Sequence, residues 1–378
     1  MQLIGNTCAA IISKILPFLK VDDMESFALV NKAQFYKIIL TITANKNWKF
    51  SASILQKVHS LRFNSIRHLT FNLDMPTFNK NMLPPKLRYL KLNDRFDQPI
   101  DVDVLPKDLK ILILSADFNQ PIVNGSLPSS LRDLKFGHKF NQPIADNAIP
   151  DKLEVIKFGE SFRYPVTKNM LPDSLKNITF SNLFDQTIED GFLPKNLEYL
   201  KLGFQYNQPL NAGVLPSGLK YLIMSTLFTQ PLQRGVLPNG LQCLSLGRWY
   251  NEVIEVGVLP SSLLTLEFGV VYDQYIDVGV LPNKLKKLSF GYYFNQPIVD
   301  GLLPDTLKNI SFGGNFNQVL EVNVLPKGLE IMILGNSFNH PLPKEVMPPG
   351  LKYLQINKNY TYTGDDFYIP SGCTVGIQ

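Results

Sequence analysis

The chain has little of what metal sites and disulfide scaffolds need, with three cysteines and four histidines among 378 residues. Cys8, Cys243 and Cys373 are odd in number and far apart, which disfavours a disulfide framework and favours a reduced, intracellular protein. The histidines are isolated along the sequence and lack the spacing of metal ligands. We therefore expect neither a metal nor a cofactor.

Charge and long apolar runs are also scarce. Charged residues make up 18% of the chain and the net charge is +5, whereas nucleic-acid binders usually bring a denser basic patch, so a nucleic-acid partner is disfavoured. No apolar run reaches the roughly 20 residues of a membrane span, so we expect no membrane partner. The apolar stretch from Cys8 to Leu19 lacks the basic start and the small-residue cleavage site of a signal peptide. These features predict a cytoplasmic protein.

Proline, in contrast, is abundant and strictly placed. Fourteen prolines follow one another at intervals of 22 residues, and a leucine stands three positions after each of the first thirteen. A fixed period of this length, held without insertions, predicts a solenoid of stacked coils. The prolines are Pro84, Pro106, Pro128, Pro150, Pro172, Pro194, Pro216, Pro238, Pro260, Pro282, Pro304, Pro326, Pro348 and Pro370.

Within each coil the pattern Leu-x-x-Leu-x-Leu predicts a short strand with one face buried, as in Leu87, Leu90 and Leu92. Stacking such strands forms a parallel sheet. A small residue follows each strand, and a Gly, Asn or Asp precedes most Leu-Pro pairs. Both positions predict corners that need a small side chain or left-handed backbone.

The second half of the coil carries an aromatic column that runs without a gap from Phe96 to Tyr360 and predicts a buried ladder of rings. The next column is mostly Asn or Asp, which suits side chains bonding backbone at a turn. Proline in both halves of the coil argues against helices. The chain is therefore expected to be mainly β.

Segments such as Phe118–Ile122, Phe140–Ile144 and Phe294–Ile298 read Phe-Asn-Gln-Pro-Ile, and this signature resembles FNIP repeats. These are 22-residue leucine-rich-like repeats of social amoebae and of giant viruses that infect amoebae. The resemblance implies a leucine-rich-like parallel β solenoid of about 13 repeats over residues 83–370 and a recognition role. If the protein is viral, it would act in the host cytoplasm.

The flanking segments lack the clean repeat. Residues 1–50 contain stretches of helical periodicity and predict a small α-helical domain. Residues 51–82 are expected to form a divergent first coil or linker, and residues 371–378 a C-terminal tail.

In the first 50 positions Ile12, Ile15, Leu16 and Leu19 are followed by Asp22-Asp23-Met24, by Leu29-Val30 and by a late Trp48. This order resembles an F-box, which docks the Skp-type adaptor of cullin-RING ubiquitin ligases. The resemblance implies that the chain is the substrate-recognition subunit of such a ligase and that the solenoid binds a target protein. The alternative is a plain binding scaffold whose N-terminal helices only cap the solenoid. By this resemblance the adaptor-binding face would comprise Ile12, Ile15, Leu16, Leu19, Met24 and Val30.

In each strand the residues just before and just after the middle Leu point outward, and these two columns vary freely along the repeat. Such variable outward positions are where specificity for a partner could reside. Basic and aromatic side chains are interleaved in the first half of these columns and together suit an acidic protein segment. The alternative is that the lysines only keep the sheet soluble. The candidate binding residues are Tyr89, Lys91, Lys135, Lys157, Tyr199, Lys201 and Tyr221.

No catalytic constellation is found. Enzymes with parallel β-helix folds need clustered carboxylates, or a carboxylate with a basic partner, on one face. Here Glu154, Glu198, Asp273 and Glu330 are interpreted as lying in distant coils and different columns. We therefore predict that the chain is not an enzyme.

Overall fold

The computed structural model describes residues 67–70, 83–92 and 95–377, and these form one parallel sheet of fifteen short strands in chain order. Each coil contributes one strand. The strands are β1 His68–Thr70, β2 Tyr89–Lys91, β3 Ile111–Ile113, β4 Asp133–Lys135, β5 Val155–Lys157, β6 Asn177–Thr179, β7 Tyr199–Lys201, β8 Tyr221–Ile223, β9 Cys243–Ser245, β10 Thr265–Glu267, β11 Lys287–Ser289, β12 Asn309–Ser311, β13 Ile331–Ile333, β14 Tyr353–Ile356 and β15 Thr374–Ile377.

The sequence period sets the register of the sheet. Leu266 pairs with Leu288, and the same offset of 22 residues holds from β2 to β14. The first and last pairs are offset by 21 residues instead, as in Leu69 with Leu90. Strand β15 lies within the segment interpreted from sequence as a tail, so the sheet continues past residue 370.

The regular prolines open the turns that lead into the strands. The backbone N–H of Leu87 donates to the carbonyl of Pro84 at 3.0 Å, and the equivalent bond forms after all fourteen prolines, at 2.9–3.2 Å. Proline suits the first position of such a turn because this position contributes only its carbonyl oxygen as an acceptor, and proline has no N–H to leave unpaired. The Pro-x-x-Leu spacing is therefore one hydrogen-bonded turn per coil.

The corner before each Leu-Pro is left-handed in ten coils, as predicted. Asp103, Asn147 and Asn323 have φ of 61°, 59° and 70°, and seven glycines fill the same position with φ of 70–90°. Asn169, predicted as a corner of this kind, lies instead in the 3₁₀ turn Lys168–Met170.

The residue at the corner after each strand is small for a different reason. At Gly291 an added Cβ would lie 1.7 Å from the carbonyl oxygen of Gly269 in the preceding coil, and most glycines of this column are equally close to their neighbours. Close approach of two backbones, rather than left-handed geometry, therefore selects glycine here. Where serine takes the position, as at Ser115, its hydroxyl donates to the carbonyl of Phe96.

The aromatic column forms the core predicted for it. Rings from Phe96 to Phe162 and from Phe184 to Tyr360 stack with centroids 5.5–6.5 Å apart and nearly parallel planes. Hydrogen-bonded strands are about 4.8 Å apart, so the coils spread from the sheet towards the rings. The sheet is therefore the concave face of the solenoid.

The Asn/Asp column links one coil to the next. Asn119 accepts the backbone N–H of Asn141 at 2.8 Å, and Asp273 accepts that of Asn295 at the same distance. Gln296 donates to both the carbonyl and the side chain of Asp273, at 3.0 Å each. The Asn and Gln of the repeat signature thus bond between coils rather than within their own turn.

The described residues contain no α-helix and two 3₁₀ turns, and a mainly-β, leucine-rich-like solenoid of about 13 coils is confirmed. No helix in the described ranges is long and apolar enough to cross a membrane. The predicted helical domain of residues 1–50 lies outside the described residues.

Candidate functional site

The strands place all seven predicted binding residues on the concave face. In each strand from β2 to β13 the middle side chain is buried and the two flanking side chains are at least partly exposed. Tyr89 and Lys91 lie in β2, at one end of the described sheet. The others follow in β4 (Lys135), β5 (Lys157), β7 (Tyr199 and Lys201) and β8 (Tyr221).

A groove of about 590 Å³ crosses this face over β5 to β9. Its floor includes the predicted residues Lys157, Tyr199 and Lys201, and Tyr221 pairs in register beside Tyr199. One wall is formed by the turns that follow the strands. The structure therefore brings the central predicted residues together and leaves Tyr89 and Lys91 away from the groove.

Four charged side chains line the groove, Lys157, Glu160, Lys201 and Arg248. Lys157 and Lys201 are exposed and form no ion pair with another described residue, and Thr179 separates them in register. Lys135, which pairs in register with Lys157, is partly neutralised because its Nζ lies 3.3 Å from an Asp133 carboxylate oxygen. The groove lining therefore carries more positive than negative side chains.

The column preceding the strands contains both basic and acidic side chains. The Glu154 carboxylate lies 3.6 Å from Arg132 and 3.1 Å from Lys176, and Glu198 lies 2.9 Å from Lys220. Hydrogen bonding to Lys220 and its charge hold the pKa of Glu198 below its usual range. From Arg132 to Lys220 this column alternates between basic and acidic side chains.

The same column corrects the interpretation that the acidic residues occupy unrelated columns. Glu154, Glu198 and Glu330 share one column, and only Asp273 lies in another. Glu330 lies 3.2 Å from Lys308 and 2.7 Å from Lys352, and both lysines lower its pKa through hydrogen bonds. These carboxylates are engaged with basic neighbours one coil away.

The potential nucleophiles Tyr199, on the groove floor, and Cys243, beside the groove, are weak. Burial raises the pKa of the Tyr199 phenol and of the Cys243 thiol, and Cys243 starts β9 beside Tyr221. A raised thiol pKa leaves little thiolate at neutral pH. Among the described residues no three His, Cys, Asp or Glu side chains are grouped so that they could hold a metal ion.

The groove residues that lie in the turns after the strands escape prediction from the strand columns. Glu160, Phe204 and Arg248 line the groove from the turns after β5, β7 and β9. In the sequence these residues stand directly after the small corner residue, at a position that varies from coil to coil. The same variability is expected of any exposed loop, so it does not identify a binding site.

A concave parallel sheet with a charged groove and a convex return side defines the class of leucine-rich-like repeat solenoids. The FNIP repeat family matches residues 74–117, 118–161, 140–183, 162–205, 184–227, 206–249, 228–270, 250–293, 294–337 and 338–375. The chain belongs to the FNIP repeat family.

Solved structures agree with this assignment. CroV588, described as a novel circular leucine-rich-repeat protein, shares 35% identity at a TM-score of 0.73. The alignment covers 83% of this chain and 50% of the CroV588 chain, so the chain spans about half the length of that relative. An internalin, InlF from Listeria monocytogenes, shares the fold at 14% identity and a TM-score of 0.50, with 86% and 93% covered. No curated protein matches the chain.

Proposed function

We propose that the chain is a non-catalytic binding subunit that holds an acidic segment of a target protein in the concave groove. The observation that supports this most is the position of Lys157 and Lys201, two exposed ammonium groups without an ion-pair partner in the described part of the chain. Tyr199, half-buried on the floor in the same strand as Lys201, adds apolar area and a hydroxyl. Charge complementarity of this kind steers association and selects among partners.

We further propose that residues 1–50 dock a Skp-type adaptor and make the chain a substrate-recognition subunit of a cullin-RING ubiquitin ligase. This rests on the spacing of Ile12, Leu16, Leu19 and Met24 in the sequence, because these residues lie outside the described ones. The chain would perform no chemistry itself. It would raise the effective concentration of the target near a ubiquitin-charged enzyme in the cytoplasm.

The adaptor role is tested by capturing the full chain on an immobilised Skp-type adaptor. The variant Leu16→Lys/Leu19→Lys is expected to lose capture by at least about tenfold, because charges on the docking face are desolvated on binding. The variant Lys157→Glu/Lys201→Glu, altered only in the groove, should be captured like the unmodified chain.

The second candidate is a scaffold in which the N-terminal helices only cap the solenoid. An exposed end of a stacked core requires such a cap. In that case the adaptor captures no form of the chain, and Leu16→Lys/Leu19→Lys lowers the unfolding temperature instead.

A further inference from the structure

Six consecutive turns after β7 to β12 alternate between exposed and half-buried residue pairs. The first, third and fifth pairs are exposed and large, whereas the second, fourth and sixth are half-buried and mostly smaller. We call this row the turn stripe. Its three exposed pairs are the ridges, and its three half-buried pairs are the notches. In order, the pairs are Phe204–Gln205, Thr226–Leu227, Arg248–Trp249, Val270–Val271, Tyr292–Tyr293 and Gly314–Asn315.

The ridges carry exposed aromatic rings. Trp249 is 49% exposed, Tyr292 51% and Tyr293 50%, and the two tyrosine rings meet edge to face at 5.1 Å. The Tyr292 ring leans over Gly314, where an added Cβ would lie 2.4 Å from a ring carbon. Glycine thus leaves room for the last ridge. Aromatic side chains with arginine are the types that contribute most to binding interfaces.

The spacing of the ridges is set by backbone bonds between neighbouring coils. The N–H of Trp249 donates to the carbonyl of Thr226 at 3.0 Å, and the N–H of Tyr293 donates to that of Val270 at 2.9 Å. Bonded chains of this kind lie about 4.8 Å apart. Successive ridges, two coils apart, are therefore separated by about 10 Å, with Val271 on the floor between Trp249 and Tyr293.

We propose that the turn stripe binds a proline-rich segment in the polyproline II conformation. That helix rises about 3.1 Å per residue with three residues per turn, so it presents one side chain on the same face about every 9 Å. This matches the distance between notches. A β-strand repeats every ~7 Å, and an α-helix with residues seven apart at ~10 Å also places residues in between, against the ridges.

The chemistry of the stripe fits the same ligand. The carbonyls of a polyproline II chain have no internal partners, and the indole N–H of Trp249 and the hydroxyl of Tyr293 can donate to them. Only Arg248 is charged among the ridges. Binding should therefore depend weakly on salt, unlike binding of an acidic segment in the adjacent groove.

The test uses intrinsic fluorescence of the full chain. Trp48 and Trp249 are its two tryptophans, so Trp48→Phe leaves Trp249 as the single reporter. The probe is a peptide of Leu-Pro-Pro repeats about 12 residues long, and its control has the same composition with the leucines grouped in one block. The repeat peptide should shift the Trp249 emission to the blue in a saturable manner, and the control peptide should bind at least about tenfold more weakly.

Two variants locate the site by calorimetry. Trp249→Ala removes a ridge and Val271→Trp fills a notch, and each should weaken the repeat peptide at least about tenfold. Tyr275→Ala, which removes a ring of similar exposure on the return side, should leave binding unchanged. Absence of peptide binding, binding that survives both variants, or a preference for a helical peptide or oligothymidylate would overturn the proposal. The turn stripe shares Phe204, Thr226 and Arg248 with the groove wall. Lys157→Glu/Lys201→Glu changes only the groove floor and should not alter the peptide affinity, which distinguishes binding on the stripe from binding on the floor.

Discussion

The side-chain oxygen of Asn295 accepts the backbone N–H of Asn317, 22 residues later, at 2.8 Å. Asn317 in turn accepts the N–H of Asn339 at 3.0 Å, so one column of side chains hydrogen-bonds each coil to the next. The repeat signature therefore encodes contacts between coils. This makes the column a sensitive place to test how the solenoid is held.

Asn295→Ala removes the acceptor of the Asn317 N–H and of the Gln318 amide, which lies 3.2 Å from the same oxygen. We expect a loss of about 1–2 kcal/mol in the free energy of unfolding, measured by urea denaturation. Asn295→Asp keeps the acceptor, as Asp273 does one coil earlier, and should be nearly neutral. Equal losses for both variants would contradict the role given to the acceptor.

Gly291→Ala should be strongly destabilising because its Cβ would collide with the Gly269 carbonyl oxygen. We expect at least about 3 kcal/mol, since backbone cannot move aside cheaply. Gly218→Ala provides the matched control, because its Cβ would meet nothing closer than 3.7 Å and its φ is not left-handed. The unfolding temperatures of the two variants test this prediction. If alanine at position 291 leaves the unfolding temperature unchanged, the close-approach explanation is wrong.

The ladder tyrosines differ in their hydroxyl environments. The Tyr206 hydroxyl is buried without a hydrogen-bond partner, whereas the Tyr360 hydroxyl donates to the His340 carbonyl at 2.9 Å. Tyr206→Phe should stabilise the fold by about 1 kcal/mol and Tyr360→Phe should destabilise it by a similar amount. Opposite shifts in the urea midpoint are the expected result; shifts of the same sign would count against this account.

Alkaline pH should weaken the fold through the buried phenols. Burial raises the pKa of Tyr250 to about 12, while a tyrosine in the unfolded chain titrates near 10. The unfolded chain therefore loses its proton first, and stability falls as pH rises from about 10 to about 12. The free energy of unfolding of Tyr250→Phe should therefore fall by about 2 kcal/mol less than that of the unmodified chain between these two pH values. Urea denaturation of both proteins at each pH measures the difference. An identical pH profile for both would exclude the effect.

The period, the strands, the left-handed corners and the aromatic ladder could be predicted because each follows from one residue type at a fixed position. For the glycine column after the strands the sequence predicts only a corner with a small side chain or left-handed backbone, because it cannot distinguish a φ requirement from a close backbone approach such as that at Gly137. Asn169 fails for a related reason, because Asn suits a 3₁₀ turn as well as a left-handed corner.

The candidate site is only partly predictable. The strand alternation correctly places Lys157, Tyr199 and Lys201 on one face, because period-2 patterns fix side-chain direction. The pairing of Glu154 with Lys176 depends on the stacking of coils, so it emerges only when residues 22 apart are brought together. The groove wall at Phe204 and Arg248 comes from turns whose direction no periodicity defines.

The central claim is that the concave groove binds an acidic protein segment, and its most direct test is a calorimetric titration of the full chain with a glutamate-rich peptide. Lys157→Glu/Lys201→Glu is expected to weaken binding at least about tenfold, with an affinity that falls as salt is added. Lys327→Glu/Lys358→Glu, which changes the net charge equally at exposed positions outside the groove, should bind nearly as the unmodified chain does. Equal weakening by both double variants, or no binding at all, would contradict the assignment of the groove.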